Sequence, residues 1–463
     1  MAKKLLAILA ALCLVAAMGS VGASAALVYN PDTEAAEFYT NEYALGEFNI
    51  LVIPDAHQTA EEDPNLIEYI RSAIKYGKTT GALDLVIFLG DSVTGSGKDN
   101  PERAVARLLA PVIEAEIPYT AVLGDEDPAS LLDVWRTAGG TTKLTYMVEE
   151  EIEDSDPVEY EEVEKEVDVP LFVAPDDTGA TAGNFKYTIK KTWYKDAFGD
   201  ITGRRLSPQG NPNPLWDFDD ALEGAQATAQ FAQLFLFDIG SAASGYPYVR
   251  TDQITWFEDN LTPGLPALVF QHIPLPEVYT GGYFLKSPFN WALPWTRNVL
   301  DVNYCGTANY VNMVGTVLEA PKTPSFSDGE FAALEAEEVL AAFFGHDHMN
   351  NYVERFEKID LVQLPGAAWN GGYGTYIVRG GSFVTLRSVA VNTTRDHFPE
   401  PVSSFYTAYA SDYFTYRQAS RVAGSQVAST VNGFNDFMKA VPFLLQNFLI
   451  DILAPIRWIK GGF

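Results

Sequence analysis

The sequence predicts an α/β fold with a parallel sheet, on three observations. Apolar runs that read as buried strands alternate with helical patterns along the first third of the chain. Carboxylates and imidazoles stand directly after such runs, where open α/β sheets carry their sites. The composition, 47% hydrophobic and 13% aromatic over 463 residues, supplies a sizeable core for one large domain or two ordinary ones.

Residues 1–25 read as a secretory signal peptide. Lys3 and Lys4 precede an apolar run from Leu5 to Met18, and Ala23-Ser24-Ala25 offers small residues for cleavage. An uncleaved membrane anchor is the other reading of that run. Cys13 leaves with the segment, so the secreted chain keeps Cys305 alone and has no internal disulfide. Packing must then hold the fold, with bound metal as a further source of stability. The net charge of −30 repels a phosphate backbone at long range, which argues against nucleic acid as a partner. A small anionic substrate stays open, because a local metal charge outweighs the distant field.

The main domain is expected over residues 45–392. Phe48–Pro54 reads as its first strand. A helix follows, with Asp63 as cap, Pro64 in the first turn, and Leu66, Ile67, Ile70 and Ile74 on one face. Asp84–Gly90 is the second strand, Asn100-Pro101 opens a second helix, and Pro118–Gly124 is the third strand. Residues 148–170 form an acidic insertion, with twelve carboxylates against one lysine between 149 and 168. Its alternation predicts a charged hairpin, and its spacing matches no EF-hand loop. A Gly- and Pro-rich loop is expected to about Pro214. Strands are predicted at Gln233–Asp238 and Ala267–Ile273, with a short helix from Thr251 or Asp252 to Phe257 between them. Residues 278–328 read as aromatic loops over a site, Glu330–Leu340 as a helix and Leu340–Phe344 as a strand. Leu361–Leu364, Tyr373–Arg379 and Ser382–Val389 close the domain as antiparallel strands.

Residues 402–463 are expected to form a helical tail, because apolar residues recur at helical spacing from Phe434 to Ile459. Pro442, Gln446, Asn447 and Asp451 interrupt that face and argue against a spanning helix. Two readings stay open: a helix docked on the domain or in self-association, and an interfacial helix on a membrane surface edged by Arg457, Trp458 and Lys460.

The chemistry collects at the strand ends. They read Asp55-Ala-His57, Gly90-Asp91, Gly124-Asp125-Glu126-Asp127, His272 and Gly345-His346-Asp-His348. Each alone is weak, since an aspartate after a strand is often a turn residue. Together they place seven ligands (Asp55, His57, Asp91, Asp125, His272, His346 and His348) on one sheet edge. Mixed oxygen and nitrogen donors suit Fe, Zn or Mn. Seven are too many for one tetrahedral ion and suit two ions that share a carboxylate.

This order of motifs resembles the calcineurin-like metallophosphoesterases, most closely the relatives of the purple acid phosphatases. The resemblance runs from Asn49 to Val389 and includes Pro118–Gly124, Gly183-Asn184-Phe185, Phe270–Glu277, Phe343–Tyr352 and Trp369–Tyr376. It implies a four-layer α-β-β-α sandwich with mixed sheets. It implies two divalent or trivalent metal ions (Fe, Zn or Mn), the first on Asp55, His57 and His348, the second on Asp125, His272 and His346, with Asp91 bridging. A hydroxide between the ions would attack the phosphorus of a small phosphate-ester substrate. The family has Gly-Asn-His-Asp where this chain has Gly124-Asp125-Glu126-Asp127. Glu126 therefore stands where the resemblance implies a histidine that meets the phosphate or leaving group, with Asp127 to orient it. A carboxylate there repels a phosphate dianion, so a metal-binding but catalytically silent protein is the alternative. No tyrosine follows Gly90-Asp91, where Ser92-Val-Thr-Gly95 stands, and no purple chromophore is expected.

Overall fold

The structure, a computed structural model, describes residues 25–31, 33–40, 47–152, 160–179, 183–194, 226–239, 247–278, 300–303, 312–316, 321–324, 326–337, 339–369, 379–393, 402–416 and 418–419. β1 (Ala25–Asn30) and β2 (Ala35–Thr40) pair antiparallel ahead of the expected domain start at 45. β3 (Glu47–Pro54) leads to α1 (Pro64–Thr80). That helix opens as predicted: Asp63 Oδ1 accepts from the backbone amides of Asn65 and Leu66, and Pro64 needs no donor partner. Next come β4 (Leu85–Leu89), the one-turn α2 (Ser96–Asp99), α3 (Pro101–Glu114), β5 (Tyr119–Val122) and α4 (Leu131–Ala138). β6 (Thr141–Glu151) and β7 (Tyr160–Pro170) form the expected charged hairpin, which begins earlier than residue 148.

β8 (Asp177–Thr178) and β9 (Phe185–Tyr194) follow. β9 corrects the loop expected to Pro214. Phe185, Tyr187 and Ile189 alternate into the core, a period that the intervening lysines obscure in the sequence. β10 (Gln226–Phe237), α5 (Thr251–Asn260), β11 (Ala267–Gln271), β12 (Leu300–Asn303), β13 (Asn312–Thr316) and α6 (Glu330–Ala336) come next. The two strands β12 and β13 fall in a stretch expected to be loops. β14 (Ala341–Phe344), β15 (Asn351–Phe356), β16 (Ile359–Gln363), β17 (Gly380–Thr393) and β18 (Val402–Thr415) complete the order. β18 is the second correction. Residues 402–415 are not part of a helical tail but pair with β17 along their whole length. Of the expected signal peptide 1–25, residues 1–24 lie outside the described residues, as do residues 373–378 of the strand expected at 373–379 and the helix expected at 434–459.

Two mixed sheets result. The larger has eleven strands, ordered β1-β2-β9-β10-β11-β14-β16-β15-β13-β12 with β8 beside β9. The smaller runs β18-β17-β3-β4-β5, with β3, β4 and β5 parallel. Alternation assigns the layers. Leu234, Leu236, Leu268, Phe270 and Phe343 of the larger sheet share one core with Ile50, Val52, Ile87 and Phe88 of the smaller. Phe235, Phe237, Val269, Ala342 and Phe344 turn the other way, into a second core with Trp256 and Phe257 of α5 and Leu334 of α6. α1, α3 and α4 bury Leu66, Ile70, Leu108, Leu109 and Trp135 in the first core. The layers are therefore helix, sheet, sheet, helix, and each large core side chain contributes about 1.5–3 kcal/mol by burial. Among the described residues no helix is long and apolar enough to cross a membrane.

Candidate metal centre

β3, β4 and β5 end on the same edge as β11 and β14, and the chain breaks from extended conformation sharply there. Asp55, His57, Asp91 and His346 all have positive φ, at 47°, 44°, 47° and 67°. Such angles cost non-glycine residues about 1–3 kcal/mol each and persist only where the surroundings hold them. Backbone bonds do so here. Asp55 N donates to Gly90 O at 3.1 Å, His57 N to Asp91 O at 2.9 Å and Gly345 N to His272 O at 2.9 Å. His346 N donates to both oxygens of Asp55, at 2.9 and 3.1 Å. Gly90, at φ 78°, has no room for a side chain, since a Cβ would meet His272 Nδ1 at 2.4 Å.

These turns gather all seven predicted ligands. Asp55, His57, Asp91 and His348 form one set, and Asp91, Asp125, His272 and His346 form another. Within each set one donor atom per residue lies within 4.8 Å of the rest. Asp91 belongs to both, and its Oδ2 lies 3.8 Å from His57 Nε2 and 3.4 Å from His272 Nε2. His57 Nε2 and His348 Nε2 are 3.0 Å apart. Asp55 Oδ1 is 3.3 Å from His348 Nε2, and Asp125 Oδ1 is 3.3 Å from both His272 Nε2 and His346 Nδ1. His272 Nδ1 lies 3.0 Å from Leu89 O. A carbonyl only accepts, so Nδ1 carries a proton and Nε2 is turned to the cluster.

Electrostatics point the same way. Burial pushes the Asp55 carboxyl up, but His348, His272 and His57 outweigh it and hold it at about 2. Burial likewise raises Asp125, and the adjacent His272 and His346 pull it far below the usual carboxylate range. Burial and the neighbouring His348 lower His57. His272 is buried, which lowers it, yet Asp91, Asp125 and Asp55 push it well above an ordinary imidazole. The cluster thus calls for positive charge between its carboxylates.

The family described as Calcineurin-like phosphoesterase matches residues 48–350. The chain belongs to it. Relatives include "Probable inactive purple acid phosphatase 14" of Arabidopsis thaliana, 26% identical over 71% of this chain and 72% of that protein. "Probable inactive purple acid phosphatase 29" of the same plant is 22% identical over 71% and 72%. "Phosphatase DCR2" of Saccharomyces cerevisiae is 21% identical over 76% of this chain and half of that one. Among solved structures the chain is similar to a 5'-nucleotidase from Candida albicans SC5314, at 11% identity and TM-score 0.31 over 87% of this chain and 57% of that one.

For a calcineurin-like phosphoesterase the donor set fits two metal ions. Asp125 Oδ1 and His272 Nε2 are buried and 3.3 Å apart, yet neither meets a hydrogen-bond partner in proper alignment. That is how two ligands to a common ion stand. The two acids after Asp125 have separate fates. Asp127 is buried and accepts from the amides of Ser92 and Val93, both at 3.1 Å, and of Gly124 at 3.0 Å. It ties the loops after β4 and β5 together through these backbone amides. Burial and Asp91 push its carboxyl up to about 7. Glu126 donates its amide to Asp91 Oδ1 at 2.9 Å, while its side chain is 59% exposed and contacts Lys98. Lys98 escapes sequence reasoning, because 28 residues separate it from Glu126 and no spacing rule joins them.

Proposed function

We propose that the chain is a secreted phosphoesterase that hydrolyses small phosphate esters at a two-metal centre. The observation that carries this reading is the sharing of Asp91 between two four-residue ligand sets. When bound, such an ion pair supplies a water acidic enough to attack at neutral pH and positive charge for the phosphoryl oxygens. The chain's own residues fix the geometry. Asp55, His57 and His348 hold one side, Asp125, His272 and His346 the other, and Asp91 sets the spacing between them. Leu89 O orients His272, and Asp127 keeps the two acidic loops in register.

Export through the segment at 1–25 fits a chain with one remaining cysteine. The charge of −30 weighs against a nucleic-acid partner, and the tail is offered as a membrane-surface or self-association element.

A second reading is metal binding without turnover. Glu126 at the rim of the centre favours it, as do relatives whose names include "inactive". Aryl phosphate hydrolysis and elemental analysis separate the two. Wild type is expected to carry close to two transition-metal equivalents and to turn over. Asp91→Ala is expected to lose at least about 100-fold in activity together with metal. Purified protein without transition metal would overturn both readings. Turnover found only in Asp125→Asn/Glu126→His would favour the silent one.

A further inference from the structure

We infer that Lys98 is the residue that receives the anionic group of the substrate, and that Glu126 holds its ammonium in place at the rim. This rests on the two-metal reading proposed above and names what meets the substrate there.

Both ends of the pair are anchored to the centre. Glu126 is fixed through its amide to Asp91 Oδ1, at 2.9 Å, and follows the ligand Asp125. Lys98 rides on α2, which is stapled to the loop after His57. Ser96 Oγ accepts from Ala60 N at 3.1 Å, and Gly97 packs so tightly that a Cβ would come within 2.3 Å of Gln58 O. The pair therefore joins the loop beside one ligand set to the loop beside the other. Lys98 Nζ contacts Glu126 Oε2, with the lysine 34% and the glutamate 59% exposed. An ammonium has three donors. Glu126 engages one, which leaves two for oxygens arriving from solvent.

Folding does not account for this arrangement, since an exposed pair adds little to stability. Approach of an anion does. Three aspartates form the cluster behind the rim, and Glu126 places a fourth carboxylate in front of it. A phosphate dianion meeting Glu126 alone would be repelled. Lys98 cancels the charge of Glu126 and, as a flexible point charge, can follow the oxygens inward.

The test is calorimetric titration of the metal-loaded full chain with inorganic phosphate, with metal content measured for every variant. Lys98→Ala is expected to weaken phosphate by about tenfold or more, and Lys98→Arg to restore most of it. Glu126→Gln is expected to tighten phosphate by several-fold. The decisive comparison is Lys98→Ala in the Glu126→Gln background. A loss at least as large as in wild type supports direct contact. No loss there means that Lys98 only neutralises Glu126, and overturns the inference while leaving the two-metal reading intact. A wild type without metal would overturn the reading itself and this inference with it.

Discussion

At Gly124 a Cβ would come within 2.2 Å of both the amide and Oδ1 of Asp91. The atoms in the way are backbone and a buried ligand, so neither can swing aside. Gly124→Ala is expected to lower stability by about 2–4 kcal/mol and to release metal, read by urea unfolding and elemental analysis. The seven residues of the cluster were legible because each follows an apolar run, and a side chain placed there must face the sheet edge. Their backbone strain was not. Positive φ at Asp55, His57, Asp91 and His346 arises from neighbouring loops that press on one another, and residue type carries no sign of it. The same holds for Asp127, whose place in the sequence suggested chemistry and whose three amide partners make it a brace.

Helix α6 shows how an element's ends can be at odds with its surroundings. Glu330 is its first residue, where the helix dipole favours a negative charge. Burial is the larger effect, and with Glu277 nearby it pushes the Glu330 carboxyl up to about 8. The folded pKa lies above the unfolded one, so the stability this group contributes is full below about pH 4 and is lost as pH rises to about 8. The slope in that window is up to about 1.4 kcal/mol per pH unit. Glu330→Gln is expected to flatten it, with urea midpoints at pH 5, 7 and 9 as the measurement. An unchanged slope would place the titration elsewhere. Elements were legible where one period ran without interruption, as in β3, α1, β4 and β14. They were lost where charged residues alternate with apolar ones on a strand with one buried face, as in β9, or where the partner strand is needed to see the pattern. β1 and β2 stand close behind the apolar run from Leu5 to Met18, and their role emerges only from the pairing of β2 with β9.

The whole molecule depends on its last strand more than composition suggests. β18 closes the smaller sheet against β17, and its end reaches across to the edge that carries the Asp/His cluster. Tyr413 donates to Gln363 O at 2.9 Å and Tyr416 to Ala367 O at 2.8 Å, while Tyr69 of α1 stacks on Tyr416 at 4.5 Å. Ala367 and Ala368 in turn donate to Pro54 O and Asp55 O, both at 2.9 Å. A chain of bonds thus runs from β18 through one loop to the first ligand. Phe414 and Tyr416 are nearly fully buried, at 2% and 0% exposure. Their removal costs roughly 3–6 kcal/mol before the lost ladder is counted, against a total stability of about 5–15 kcal/mol for a typical domain. A chain ending at Asn392 is therefore expected to aggregate or to melt far below the full protein, and to retain no metal. A chain ending at Gly424 is expected to melt as a folded domain with close to two metal equivalents. Thermal unfolding with elemental analysis of both chains decides the matter. An equally stable, metal-loaded chain ending at 392 would show that the fold closes without β18 and that the link from Tyr416 to Asp55 is incidental.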